Sequence, residues 1–201
     1  MKTGDYLGLS LAACLLAGCV DSELVSQSGF LPGDLMPDMR WDARPEADLW
    51  TSQAMVAVAG HDSQLASLVP EDIATFCPGY AKGTLNERRA FWVGLMSATA
   101  KHESSFNPRA SGGGGRYIGL MQIAPGTARQ HGCDARSSAA LKDGAENLEC
   151  AVRIMAPNVA ADGMIAGSGN EGIARDWGPM SNSSKRRDIA AWTSQQDYCK
   201  A

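Results

Sequence analysis

The 201-residue chain has no run long enough to span a membrane in its N-terminal apolar stretch. Tyr6 to Ala17 falls well short of the roughly 20 apolar residues a spanning helix needs. It has no excess of positive charge either. The net charge of −4 removes a general electrostatic case for nucleic acid. An acidic chain is also not drawn to anionic polymers by bulk charge, so any hold on such a polymer must come from a shaped groove. There is no CxxC pair and no zinc-ligand spacing, so no metal and no cofactor are expected. His102-Glu103 begins an HExxH motif, but residue 106 is Phe and the motif fails. Ser111 to Gly115 (SGGGG) is followed by no Gly-Lys-Ser or Gly-Lys-Thr, which excludes a phosphate-binding P-loop. No strand-like alternation and no internal repeat occur. Finally, no Asp or Glu stands between Ser104 and Cys133.

The N-terminus carries a targeting segment. Lys2 opens it, the apolar run follows, and it closes on Leu16-Ala17-Gly18-Cys19. Length and small residues at the end fit a secretory signal. The tetrapeptide resembles a bacterial lipobox, which implies cleavage after Gly18 and lipidation of Cys19. Residues 1–18 are therefore read as a lipoprotein signal peptide, and 19–45, polar and broken by Pro32, Pro37 and Pro45, as a tether. Val20 is not the Asp that often retains lipoproteins in the inner membrane. The expected place is the periplasmic side of the outer membrane. An ordinary signal peptide with an incidental Cys is the alternative.

Residues 46–201 read as one mainly α domain with at most a small β element near the Gly-rich loop. Helices are expected over Leu49–Ala59, within Glu71–Tyr80, over Asn86–Glu103 with Asn86 as N-cap, and over Pro125–Gln130. Further ones are expected over Ala145–Ala156 (ending before Pro157), Gly172–Trp177 and Lys185–Gln196. Gly163 to Gly172 reads as flexible by composition. Besides Cys19, four cysteines follow the signal, and an even number in an exported protein argues for disulfides. Of three connectivities, Cys133–Cys150 would staple neighbouring helices, and Cys77–Cys199 would tie the chain end to the domain's start. A Cys–His hydrolase built on Cys133 and His131 explains Cys133 less well.

Phe91, Trp92, Leu95, Met96, Ala98 and Thr99 recur at helical spacing and lead to Glu103. That stripe is first of all core, but it gives Glu103 apolar surroundings, the setting that raises a carboxyl pKa for proton donation. A lone Glu at a helix end is more often a solvated charge. The surrounding residues change this. Lys101-His102-Glu103-Ser104-Ser105-Phe106-Asn107-Pro108-Arg109-Ala110 is followed by Gly119-Leu120-Met121-Gln122-Ile123-Ala124-Pro125-Gly126-Thr127-Ala128. This pattern resembles the soluble lytic transglycosylase (SLT) family of the lysozyme-like superfamily, a fold shared with goose-type lysozyme.

The resemblance implies a peptidoglycan lytic transglycosylase cleaving the MurNAc-GlcNAc β-1,4 bond, with peptidoglycan glycan strands as partner and 1,6-anhydro-MurNAc as product. It implies Glu103 as acid and then base. Substrate contacts would come from Ser104, Ser111, Gly119, Met121 and Gln122, and Asn147-Leu148 would support the groove. The family's late Ala-Tyr-Asn is missing. Ala174-Arg175-Asp176-Trp177-Gly178-Pro179 stands there instead, and Trp177 reads either as a sugar-stacking wall or as core. A second acid for hydrolysis would have to come from elsewhere, with Asp134, Glu171 and Asp176 as candidates. The rival functions are a lysozyme-type hydrolase and a non-catalytic wall-binding lipoprotein.

Overall fold

The structure is a computed structural model that describes residues 36–200. The expected signal peptide, Cys19 and the first part of the expected tether lie outside the described residues. The elements are α1 (Ala47–Ala59), α2 (Ile73–Phe76), α3 (Leu85–Glu103), β1 (Ser111–Gly112), β2 (Tyr117–Ile118), α4 (Pro125–Gln130), α5 (Gly144–Asp162), α6 (Gly178–Ser181) and α7 (Ser183–Thr193). Single 3₁₀ turns at Tyr80–Lys82, Ala140–Lys142, Gly172–Arg175 and Asp197–Cys199 connect them. The mainly helical lysozyme-like architecture read from the sequence is what the chain adopts. The β1–β2 hairpin pairs Ser111 with Ile118 and Gly112 with Tyr117.

The third helix is the axis of the domain. From Ala90 to Ala100 every residue is buried, so the helix is covered all round rather than on one stripe. Its buried polar groups are satisfied: Thr99 Oγ1 donates to the Leu95 carbonyl at 2.8 Å, and Ser97 Oγ accepts the Trp41 N–H at 3.2 Å. Its N-cap, Thr84, lies two residues before the expected one, Asn86. Thr84 Oγ1 accepts from the Glu87 N–H while the Glu87 carboxylate takes the Thr84 N–H, a reciprocal capping box that Asn86 cannot form from inside the helix.

Two other expected boundaries move. The fifth helix runs through Pro157 to Asp162 and stops at Gly163, whose φ of 64° caps it. Pro157 removes one backbone hydrogen bond. Burial of Met155, Ala156 and Val159 on either side holds the helix together across it. The domain also begins earlier than residue 46. Met39 and Trp41 are buried, Trp41 wholly, with its Nε1 donating to Thr51 Oγ1 at 2.9 Å and its ring edge-on to Trp50. A polar, proline-punctuated composition had concealed two core residues.

Both disulfides pair as expected, Cys77 with Cys199 and Cys133 with Cys150, at Cα separations of 4.7 and 5.1 Å. The first holds the chain end against α3, where Tyr198 packs so closely that a Cβ on Gly94 would lie 2.1 Å from its hydroxyl. The segment after α5, read as flexible, is fixed by one side chain. The Asp72 carboxylate accepts the N–H groups of Ile165, Ala166 and Gly167 at 2.7, 2.9 and 2.9 Å.

Candidate active site

Glu103 is the last residue of α3. The chain then turns sharply: Ser105 and Phe106 have φ of 51° and 64°, in the left-handed region. Gln122, at 48°, is the only other non-glycine residue with positive φ among those described. A non-glycine residue there is strained and persists only when its surroundings demand it. Gln122 lines one open cleft of about 500 Å³ together with Glu103, Gly112, Gly113, Tyr117, Trp177 and others, and Ser105 and Phe106 make the turn directly after Glu103.

The hairpin and the following turn build one wall. Gly112 is there because Gln122 needs the space: a Cβ at 112 would lie 2.4 Å from Gln122 Oε1. Gln122 Nε2 donates to the Gly119 carbonyl at 2.8 Å. Gly119 itself (φ 85°) packs inward, where a Cβ would meet the Leu141 carbonyl at 2.2 Å and Asn147 Nδ2 at 2.3 Å. Asn147, fully buried, ties the turn down. Its Oδ1 accepts the Met121 N–H at 2.8 Å, and its Nδ2 donates to the Ile118 and Leu141 carbonyls, each at 3.0 Å.

Glu103 is half-buried, and burial pushes its carboxyl up to about 7 from an ordinary value of 4.5, with the Lys185 ammonium pulling the other way. No hydrogen bond from the described residues reaches the carboxyl. A carboxylic acid that is substantially protonated near neutral pH is what general-acid cleavage of a glycosidic bond requires.

The expected contact residues divide. Gln122 lines the cleft with Glu103. Met121 does not: it is 1% exposed and packs in the core, contributing only its backbone. Gly119 is buried under Asn147 and cannot touch substrate. Ser104 caps α3, its Oγ turned back to the Ala100 carbonyl at 3.3 Å. Ser111 is exposed on β1, and it is the next residues, Gly112 and Gly113, that line the cleft. Trp177 is 4% exposed, and its Nε1 donates to the Met121 carbonyl at 2.9 Å. That leaves no open ring face for a sugar to stack on. It is a buried wall rather than a platform because almost none of its surface is exposed, and its indole N–H holds the turn that carries Gln122.

Several cleft residues escaped the sequence reading as substrate contacts: His102, Tyr117, Asn182 and Lys185. Tyr117, 40% exposed beside the Gly-rich loop, carried a usable signal, since an exposed aromatic there is a candidate sugar platform. Asp176, weighed in sequence only as a second acid, lines the same cleft and also a small adjoining pocket of about 60 Å³ lined by Ile123, Ala124, Thr127 and Ile154. Burial raises its carboxyl pKa, while His131 nearby, a 2.6 Å hydrogen bond from Asn158 and the Arg175 charge oppose this. Among the described residues no group of three His, Cys, Asp or Glu could hold a metal ion, and no helix is long and apolar enough to cross a membrane.

Comparison with known proteins agrees with this geometry. The family model of the transglycosylase SLT domain matches residues 82–189, more than half of the chain. No curated protein matches. Among solved structures, Bd0314 DslA in wild-type form 2 is 26% identical with a TM-score of 0.73, over 82% of this chain and 99% of that one. Two glutamate-to-glutamine mutants of Bd0314 DslA, each also 26% identical, match with TM-scores of 0.73 and 0.71. The first covers 82% of this chain and 99% of its own, the second 79% and 95%. With the helix-end glutamate, the Gly-rich hairpin and the Gly-Leu-Met-Gln turn assembled around one cleft, the chain belongs to the transglycosylase SLT domain family.

Proposed function

We propose that this protein cleaves the β-1,4 bond between MurNAc and GlcNAc in peptidoglycan, with Glu103 as the sole proton-transfer group. The observation that carries the reading is the Glu103 carboxyl, held in the cleft with its pKa raised to about 7. Glu103 gives its proton to the glycosidic oxygen as the C1–O bond breaks. The carbonyl oxygen of the sugar's own N-acetyl group closes on C1. The Glu103 carboxylate then takes the proton of the 6-hydroxyl as O6 displaces that group and closes the 1,6-anhydro ring. Atoms balance without water, and Glu103 ends protonated.

A second reading, lysozyme-type hydrolysis, is favoured by one observation: Asp176 brings another carboxyl to the cleft, where it could activate water. Mass spectrometry of muropeptides released from purified sacculi separates the readings. Anhydro ends are the expected product. Reducing ends would replace the first mechanism by the second. Binding without cleavage would leave only a wall-adhesion role.

The mature chain starts at lipid-modified Cys19 and faces the periplasm from the outer membrane. The support is the Leu-Ala-Gly-Cys sequence and Val20 after it. A Cys19→Ala form is expected to appear as a soluble or an uncleaved species in place of the lipidated membrane form. Unchanged fractionation with membranes would refute the anchor.

A further inference from the structure

Once Glu103 gives up its proton it becomes a half-buried carboxylate with no hydrogen-bond donor among the described residues. Such an ion is costly unless a cation faces it. The ionisable groups lining the cleft with it are His102 from α3, Tyr117 from β2, Asp176 from the turn after the Gly172–Arg175 helix, and Lys185 from α7. Lys185 is the lysine among them, and it forms no ion pair with any described residue.

Its placement is built. Asp188 sits one turn after Lys185 on α7, at the i+3 spacing that puts two side chains on neighbouring surface. Asp188 is bound from two sides, by His102 Nε2 at 2.7 Å and by Arg40 Nη1 at 2.6 Å. These contacts hold its carboxyl down to about 2, the Arg40 bond first. His102 is the residue next to Glu103. The Asp188–His102 bond therefore pins α7 to the catalytic end of α3, and Asn182 caps α7 through the N–H groups of Ser184 and Lys185 at 3.1 and 3.0 Å.

We propose that Lys185, carried on the helix that the Arg40–Asp188–His102 cluster pins to α3, is the positioning cation for the Glu103 carboxylate. It stabilises the ion formed when the leaving oxygen is protonated. This rests on Glu103 being the acid, and the experiment tests the two separately. Initial rates on soluble glycan fragments are measured from pH 4 to 9 for wild type, Lys185→Met, Lys185→Gln, Lys185→Arg and Glu103→Gln.

Loss of the cation raises the Glu103 pKa, so the alkaline limb of kcat/KM should move upward in Lys185→Met and Lys185→Gln. An upward move of about half to one pH unit is expected at low salt. The move should largely vanish near 1 M salt, where the screening length is about 3 Å. At the acidic plateau kcat should fall several-fold with KM nearly constant. Lys185→Arg should keep the wild-type limb. An alkaline limb unmoved in both neutral variants would overturn the proposal. So would a rise in KM alone, which would make Lys185 a ligand for an anionic group of the substrate. If Glu103→Gln stays active, the limb never belonged to Glu103 and both readings fall.

Discussion

Glu103→Gln should abolish glycan cleavage, by about 10²–10⁴-fold, while leaving the fold intact. Gln has nearly the same shape but can neither give nor recover a proton. The apolar helix that leads to residue 103 is buried whatever stands at its end, so no packing is lost. Stability should change in a direction that marks the residue as functional. The folded protein holds the Glu103 proton up to about pH 7, whereas the unfolded chain releases it near 4.5. Between those values the native state binds more proton than the unfolded one, so stability falls as pH rises through the window. Gln does not titrate. The variant should therefore melt higher than wild type above pH 7, and the gap should narrow toward pH 4. Thermal melts at three pH values, beside cleavage assays on the same preparations, check both halves. Retention of more than about a tenth of the activity would reject Glu103 as the acid.

The same carboxyl sets the pH profile of the wild-type enzyme. General-acid cleavage needs Glu103 protonated, so kcat/KM should decline as pH rises through about 7, and no such alkaline limb should survive in the Gln variant.

What could be read from sequence is what is local in sequence. Glu103, the Gly-rich hairpin and Gln122 lie within 20 residues of one another, so one short stretch carries the resemblance to the family that marked them as a site. Asn147 is not local, and it was legible only because Asn147-Leu148 resembles the family's Asn-Ile pair; its three partners, the Met121 N–H and the Ile118 and Leu141 carbonyls, became visible only in the fold. Asn182 and Lys185 come from α7, some 80 residues after Glu103. Nothing in Asn182-Ser183-Ser184-Lys185 distinguishes a cleft lysine from a solvated one until Asp188 is seen bound to His102. Trp41 was missed because composition averages over a segment, and one buried indole is enough to dock it. Pro157 misled because proline's cost of about 3 kcal/mol can be outweighed by the burial around it. Met121 misled differently. Its side chain and its backbone do different work: the thioether fills the core, while the N–H and carbonyl fix the turn that aims Gln122.

Trp177 tests that last point most sharply. Its indole is 4% exposed and donates one hydrogen bond, to the carbonyl of Met121. Trp177→Ala should cost about 3–5 kcal/mol, the range for emptying a buried large aromatic. In a domain of this size that lowers the melting temperature by roughly 6–20 °C. Trp177→Phe keeps most of the packing but leaves the Met121 carbonyl without its donor, a loss of about 1–3 kcal/mol for a buried acceptor. The functional cost should be smaller than the structural one. Gln122 holds a strained φ of 48° next to that carbonyl, so loosening it should reduce activity per folded molecule several-fold, not eliminate it. The shape of the pH profile should survive in the Phe variant, because the burial around Glu103 remains. The opposite pattern would place Trp177 among the substrate contacts after all: a near-normal melting temperature in Trp177→Ala with cleavage lost and KM raised. Melts and initial rates on the same preparations distinguish a buried wall from a sugar platform.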